Sequence, residues 1–110
     1  MLIQVNTDSN VVAGEELRAE IDSVVTHALA HVSEHVSRVE VHLSDEDGPG
    51  RAQGDQRCMM EARVEGRQPV AVTHHASGRH DAIDGAAEKL KRLLEHTLGK
   101  SKDHHHPVAS

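Results

Sequence analysis

The chain has 110 residues, with 12 Lys and Arg against 18 Asp and Glu and a formal net charge of −6 when its 11 histidines are neutral. It contains no Phe, Trp or Tyr, which disfavours RNA-binding modules that stack splayed bases on aromatic rings. The length suits one domain, and no apolar run is long enough to cross a membrane. Residues 1–6 lack the features of a secretion signal, and a lone cysteine, Cys58, fits a reducing compartment. We therefore expect a cytoplasmic protein.

The first half of the chain predicts a strand, a helix and a second strand. Residues 2–6 are short, half β-branched and followed by a turn-forming cluster, which favours a strand. Apolar residues then recur at helical spacing between Leu17 and Val36, which predicts a helix over 14–36. Residues 38–44 alternate polar and apolar and predict the second strand, whereas 45–55 have the Gly, Pro and Asp content of a mobile loop.

The second half predicts a hairpin and a final helix. Strands are predicted over 57–65 and 70–76 with a turn at 66–69, and a broad apolar stripe predicts a helix over 79–98 that Gly99 ends. We assign one domain to residues 1–99 and a disordered polar tail to 100–110. The order β-α-β-β-β-α predicts an α+β two-layer sandwich, with two helices on one face of a four-stranded, mostly antiparallel sheet, as in double-stranded-RNA-binding domains. The other sheet face would meet solvent or a partner.

One short motif suggests metal chemistry. His31 to His35 spells H-x-x-E-H, the inverted zinc-protease motif, in which two histidines one helical turn apart bind zinc, and His27 extends the series by another turn. The motif is short, histidine is frequent in this chain, and 110 residues leave little room for a substrate cleft. We therefore predict no catalytic residue and no metal site, with metal binding by His27, His31 and His35 as a weak alternative.

Three other features favour structural roles. His74 and His75 are adjacent in a predicted strand, so alternation sends them to opposite faces of the sheet and prevents them from chelating one ion. Cys58 falls on the apolar face of its strand and is predicted to be a small buried thiol. The Gly-rich segment at 48–50 lacks the preceding strand and following helix of a phosphate-binding loop.

Charge is distributed unevenly along the chain. Residues 1–77 hold six Lys and Arg against thirteen acids, whereas residues 78–102 hold six against four. The second helix and its exit are therefore the net basic segment, with Lys89, Lys91, Arg92, Lys100 and Lys102. An ordinary solvated helix face with interleaved glutamates is the simpler explanation of this charge taken alone.

The second helix also carries a resemblance. Residues 81–94, which read D-A-I-D-G-A-A-E-K-L-K-R-L-L, resemble the A-I-[ND]-x-x-x-x-K-L-x-R-Q-L signature of the ribosome hibernation-promoting factor and ribosome-associated inhibitor family, with Leu93 in place of the Q. Residues 16–18 resemble the family's helix-opening A-L-R, and the second and fourth strands fall in register with it. The resemblance covers residues 1–99 and implies the same β-α-β-β-β-α fold.

The resemblance implies a function as well. Such proteins bind the small ribosomal subunit in the channel for mRNA and tRNA and stop translation during stress, so it implies a regulator with no enzyme activity. Basic side chains would contact ribosomal RNA phosphates, and no cofactor, DNA, membrane or small-molecule partner is expected. Carried over by position, the RNA-binding residues would be Arg18, Lys89 and Arg92, with His31 where relatives often place Lys, and Lys91 as a neighbour on the same helix.

Two alternatives stay open at this point. One is a His-rich metal-binding protein that uses His27, His31 and His35, with the histidines of the tail as accessories. The other is a diverged family member that engages a protein through the open face of its sheet. The acidic balance of the chain is the main support for the second alternative.

Overall fold

The strands and α-helices follow one another in the predicted order, with a short 3-10 helix inserted after the first α-helix. The computed structural model describes residues 1–8, 11, 14–45 and 56–103, with side chains described as far as Gly99. Its elements are β1 (Leu2–Thr7), α1 (Glu15–Ala28), the 3-10 helix (Ala30–His35), β2 (Val36–Asp45), β3 (Gln56–Val64), β4 (Val70–Ala76) and α2 (Arg79–Asp103). No helix within these described ranges is both long enough and apolar enough to span a bilayer.

The four strands form one mixed sheet in the order β1-β2-β3-β4. β2 pairs antiparallel with β3, and β3 with β4, whereas β1 runs parallel to β2. The parallel pairing follows from the connection, since α1 carries the chain back across the sheet before β2 begins. The predicted α+β sandwich with a mostly antiparallel sheet is therefore confirmed.

Strict alternation in the strands creates the core. Val39, Val41 and Leu43 of β2 are at most 1% exposed, and they lie beside Met60 and Cys58 in the paired strand. Both helices add apolar stripes to the same cluster. With no Phe, Trp or Tyr available, close packing of branched aliphatic, Ala, Met and Cys side chains fills the interior.

The first helix is shorter than predicted. It ends at Ala28, after which Leu29 adopts a non-helical conformation and residues 30–35 form the 3-10 helix. Val32 N–H donates to Leu29 O at 3.0 Å, and the Ser33 hydroxyl donates to Ala30 O at 3.2 Å, so a side chain competes for the helical backbone here. Leu29, Val32 and Val36 are all buried in this geometry. Their spacing fits an α-helix equally well, which is why the prediction of a helix to Val36 was wrong.

The second helix is longer than predicted and continues through Gly99 to Asp103. One glycine costs a helix about 1 kcal/mol relative to alanine, too little to end it without a competing cap. The start of the predicted tail is therefore helical, and residues 104–110 lie outside the described part of the chain, as do residues 46–55 of the predicted loop.

Candidate nucleic-acid interface

The two helices form an outer layer with a groove between them. The groove has a volume of about 510 Å³ and is lined by Ser23, Val24, His27, Ala28, Asp84, Ala87, Glu88 and Lys91. Lys91 is the cation of this groove, and it shares the space with the carboxylates of Asp84 and Glu88. A phosphate approaching Lys91 would therefore also meet two negative charges.

The other two predicted cations of α2 point elsewhere. Lys89 lies on the flank that faces the edge strand β4, where its Nζ donates to the backbone carbonyl of Thr73 at 2.9 Å. Arg92 lies on the solvent side, with its side chain 75% exposed, and its Nε donates to Glu88 Oε2 at 3.2 Å. Because residues two apart on a helix differ by about 200°, Lys89 and Lys91 occupy opposite flanks of α2.

Arg18 is separated from these cations. It is exposed on the first turns of α1, and helical spacing places it on the flank turned away from the groove. The residue of α1 that reaches the N-terminal part of α2 is Glu20, whose Oε2 contacts Nδ1 of His80. The two helices are thus joined at this end by an acid–imidazole contact.

His31 lies at the other end of the helix pair. Its Nε2 is 2.9 Å from Oε2 of Glu95, and both side chains are 46% exposed. The contact borders a cleft of about 480 Å³ between the 3-10 helix, the β3–β4 turn and the end of α2, lined by His31, Val32, His35, Glu65, Arg67, Glu95, Leu98 and Gly99. His31 would therefore have to exchange a carboxylate for a phosphate in order to bind RNA.

The three histidines of the metal alternative do not form a site. His27 belongs to α1, whereas His31 and His35 lie in the 3-10 helix, where three residues complete a turn and positions four apart no longer align. Among the residues described in the structure, no group of three or more His, Cys, Asp or Glu is placed to hold a metal ion. The break in the predicted helix thus removes the basis for the H-x-x-E-H interpretation.

The helical layer as a whole is acidic. Counted over the described side chains of α1, the 3-10 helix and α2, nine Asp and Glu accompany five Lys and Arg. The five predicted residues are thus spread over several surfaces: an outer flank of α1, the groove, the crest of α2, the flank beside β4 and the far end of the helix pair. They do not form a continuous basic patch.

The open face of the sheet carries charges that were not predicted to contact RNA. Its side chains alternate with the core residues of β2, β3 and β4, and the charged or titratable ones are Arg38, Glu40, His42, Arg57, Glu61, Arg63 and His75. Three Arg thus stand against two Glu on this face. The alternation that predicts these strands also indicates which residues share the outer face, so the signal was present in the sequence.

Two structural predictions for single side chains are confirmed. Cys58 is fully buried, and burial raises the pKa of its thiol to about 12 against a smaller opposing effect of the Arg57 charge. The thiol therefore stays protonated and non-nucleophilic near neutral pH. His74 is paired with Cys58 in the sheet while His75 is paired with Arg57 on the other face, so the two histidines point to opposite sides.

Comparison with known proteins identifies the family. The sequence matches the family model described as sigma 54 modulation protein / S30EA ribosomal protein over residues 3–102. The chain belongs to this family. The segment that carried the resemblance in sequence forms the first four turns of α2 and supplies both the buried stripe with Ile83 and Leu90 and the exposed Lys89 and Arg92. No curated protein sequence matches this S30EA-family chain.

Solved structures share the fold at low sequence identity. The N-terminal domain of Thermus thermophilus Protein Y superposes with a TM-score of 0.71 at 17% identity, covering 88% of this chain and 99% of that one. A ribosomal subunit interface protein from Coxiella burnetii superposes with a TM-score of 0.74 at 13% identity, covering 90% of this chain and 99% of that one. This S30EA-family chain therefore keeps the architecture of both while most side chains differ.

Proposed function

We propose that the protein is a ribosome-associated translation inhibitor of the hibernation type, which binds the small ribosomal subunit through contacts to ribosomal RNA phosphates. The family match over residues 3–102 carries this proposal. The fold shared with a protein named for the ribosomal subunit interface supports it. Such an inhibitor acts by occupying a site on the small subunit and catalyses no reaction. The protein therefore acts without a cofactor, in the cytoplasm where ribosomes work.

The composition favours phosphate contact over base reading. With no Phe, Trp or Tyr in the chain, the large rings on which bases commonly stack are missing, which favours recognition of backbone shape and charge. Such binding depends on cations whose present partners are easily exchanged. The Arg92–Glu88 pair meets this condition, because it is exposed and such pairs contribute little free energy.

The proposed helical contacts are Arg18, His31, Lys89, Lys91 and Arg92. Arg92 is more accessible than His31, with 75% of its side chain exposed against 46%. Lys89 reaches Thr73 O through its terminal amine, and a long flexible side chain can turn from a carbonyl to a phosphate without moving the backbone. His31 would bind a phosphate in place of Glu95, whose Oε2 lies 2.9 Å from its Nε2.

Co-sedimentation with purified small subunits tests the proposal. We expect association at low salt that weakens steeply as salt rises, because phosphate contacts release counterions. Lys89→Glu combined with Arg92→Glu should weaken the association strongly, whereas Glu95→Gln, a neutralisation on the same helix, should not weaken it. Absence of association at low salt would overturn the proposal, and equal binding by the double variant would remove α2 from the interface.

A further inference from the structure

We propose that the open face of the β-sheet is a second RNA-backbone contact surface, with Arg38, Arg57 and Arg63 as its phosphate-binding residues. This inference rests on the proposed function, since it assigns a further part of the interface with the small subunit. The sheet surface differs from the helical contacts because it places phosphate binding on the side of the molecule opposite the two helices.

The charge balance of the two surfaces is the first support. The described helical side chains carry four more acids than cations, whereas the open sheet face carries three Arg and two Glu. His42 and His75 lie on the same sheet face. The sheet face therefore offers a polyanion a more favourable balance of charge than the helical layer taken as a whole.

The pairing of like charges is the second support. In the register of β2 and β3, Arg38 lies directly opposite Arg63, and in the next outward row Glu40 lies opposite Glu61. Like charges facing each other across an antiparallel pair destabilise a sheet. Two guanidinium groups on adjacent strands can instead share one phosphate, and the bound anion then removes their repulsion.

The existing contacts leave cations available. Arg38 Nε lies 3.1 Å from Glu40 Oε2, and its Nη2 donates to Gln4 Oε1. Glu40 also lies 3.6 Å from Nε2 of His42. Within the described ranges, the side chains of Arg57 and Arg63 take part in no ion pair, and Arg63 is exposed. These two arginines can therefore bind a phosphate without first losing a carboxylate.

The spacing of Arg57 and Arg63 suits an extended RNA backbone. Arg57 and Arg63 are six residues apart on β3, so their Cα atoms are separated by about 20 Å at the usual rise of a strand. Both point to the same face because they differ by an even number of positions. Arg57 lies towards one end of this face, beside His75 of β4. Arg63 lies towards the other end, opposite Arg38 of β2. An RNA strand crossing the sheet would meet both groups.

The test compares matched charge variants in binding to purified small subunits. Arg57→Gln combined with Arg63→Gln lowers the net charge by two, and Arg79→Glu makes the same change at an exposed position on α2 outside both proposed surfaces. If the sheet binds RNA, the double variant should lose roughly ten-fold or more in affinity near 0.1 M salt, and its slope of log affinity against log salt should fall by roughly 1.5. Arg79→Glu should stay within about two-fold of the unmodified protein, because it removes no phosphate contact.

Two further variants separate binding from folding. Arg63→Gln should leave the thermal midpoint unchanged or raised, because it removes the like-charge pair with Arg38, while affinity still falls. Arg63→Lys should retain most of the affinity, because a point charge still attracts phosphate. If the unmodified protein binds the subunit and the double glutamine variant binds it equally well, the sheet proposal alone is overturned. Failure of the unmodified protein to bind overturns the proposed function and the sheet proposal together.

Discussion

The imidazole ring of His74 lies directly against the backbone of α2 at Gly85. The space is so small that a Cβ added at Gly85 would overlap ring atoms of His74. His74 is on the core side of β4, paired with Cys58, so the ring fills the gap between the edge of the sheet and the helix above it. The absence of a side chain at Gly85 thus sets how closely α2 approaches β4.

This contact predicts an unusual effect of alanine. Gly85→Ala should lower the free energy of unfolding by about 1 to 3 kcal/mol, because overpacking outweighs the gain of about 1 kcal/mol that alanine brings to a helix interior. Gly99→Ala is the matched control, since a Cβ there meets nothing within 4 Å, and it should be neutral or stabilising. Urea unfolding measures both. Adding His74→Ala to Gly85→Ala should recover part of the loss, and the absence of any recovery would contradict the proposed clash.

The buried thiol predicts protection from alkylation. Burial raises the pKa of Cys58 to about 12, so between pH 7 and pH 9 the native protein should hold almost no thiolate. Iodoacetamide should label the native chain far more slowly than the chain unfolded in urea, as followed by mass spectrometry. Labelling at the same rate in both states would show that Cys58 is accessible.

The raised pKa of Cys58 also determines how the stability of the protein changes with pH. A thiol whose pKa is higher in the folded than in the unfolded state favours folding below the unfolded value, near 9.0. This contribution declines as the pH rises from about 9 towards about 12, because the unfolded chain ionises first. The alkaline loss of thermal stability should therefore be smaller in Cys58→Ala, once its lower starting stability is taken into account.

The His31–Glu95 contact predicts competition between a carboxylate and an RNA phosphate. Glu95 Oε2 lies 2.9 Å from His31 Nε2, so a phosphate that approaches His31 also meets the negative charge of Glu95. Glu95→Gln should therefore strengthen subunit binding, and the gain should be smaller when His31→Gln is present as well. An equal gain in both backgrounds would show that His31 takes no part in the contact.

Lys89 and Lys91 provide a matched pair for separating structure from binding. Lys89 donates to the Thr73 carbonyl of the edge strand, so Lys89→Ala should lower stability by about 1 kcal/mol. Lys91→Ala should lower it by less than about 0.5 kcal/mol, because its groove gives no hydrogen bond of this kind. Hydrogen exchange of the β4 amides should quicken only in the Lys89 variant. Equal effects of both variants would show that the edge contact contributes nothing.

Much of the fold follows from local pattern. Alternation in β2 to β4 and the apolar stripes of both helices predict the order of elements, and the composition of α2 carries the family resemblance that the match over residues 3–102 confirms. The burial of Cys58 and the opposite orientations of His74 and His75 follow from the same alternation. These properties depend on neighbours along the chain, so the sequence determines them by itself.

Only the tertiary structure decides which side chains share a surface. The end of α1 at Ala28 depends on burying Leu29 and Val32 in a 3-10 turn, and apolar spacing cannot distinguish this from a longer helix. Likewise, the pairing of Arg38 with Arg63 depends on strand register, and the different surroundings of Lys89 and Lys91 depend on what packs against each flank of α2. Charge interactions act through space between residues far apart in sequence, so the location of the cationic surface is a property of the assembled sheet and helices.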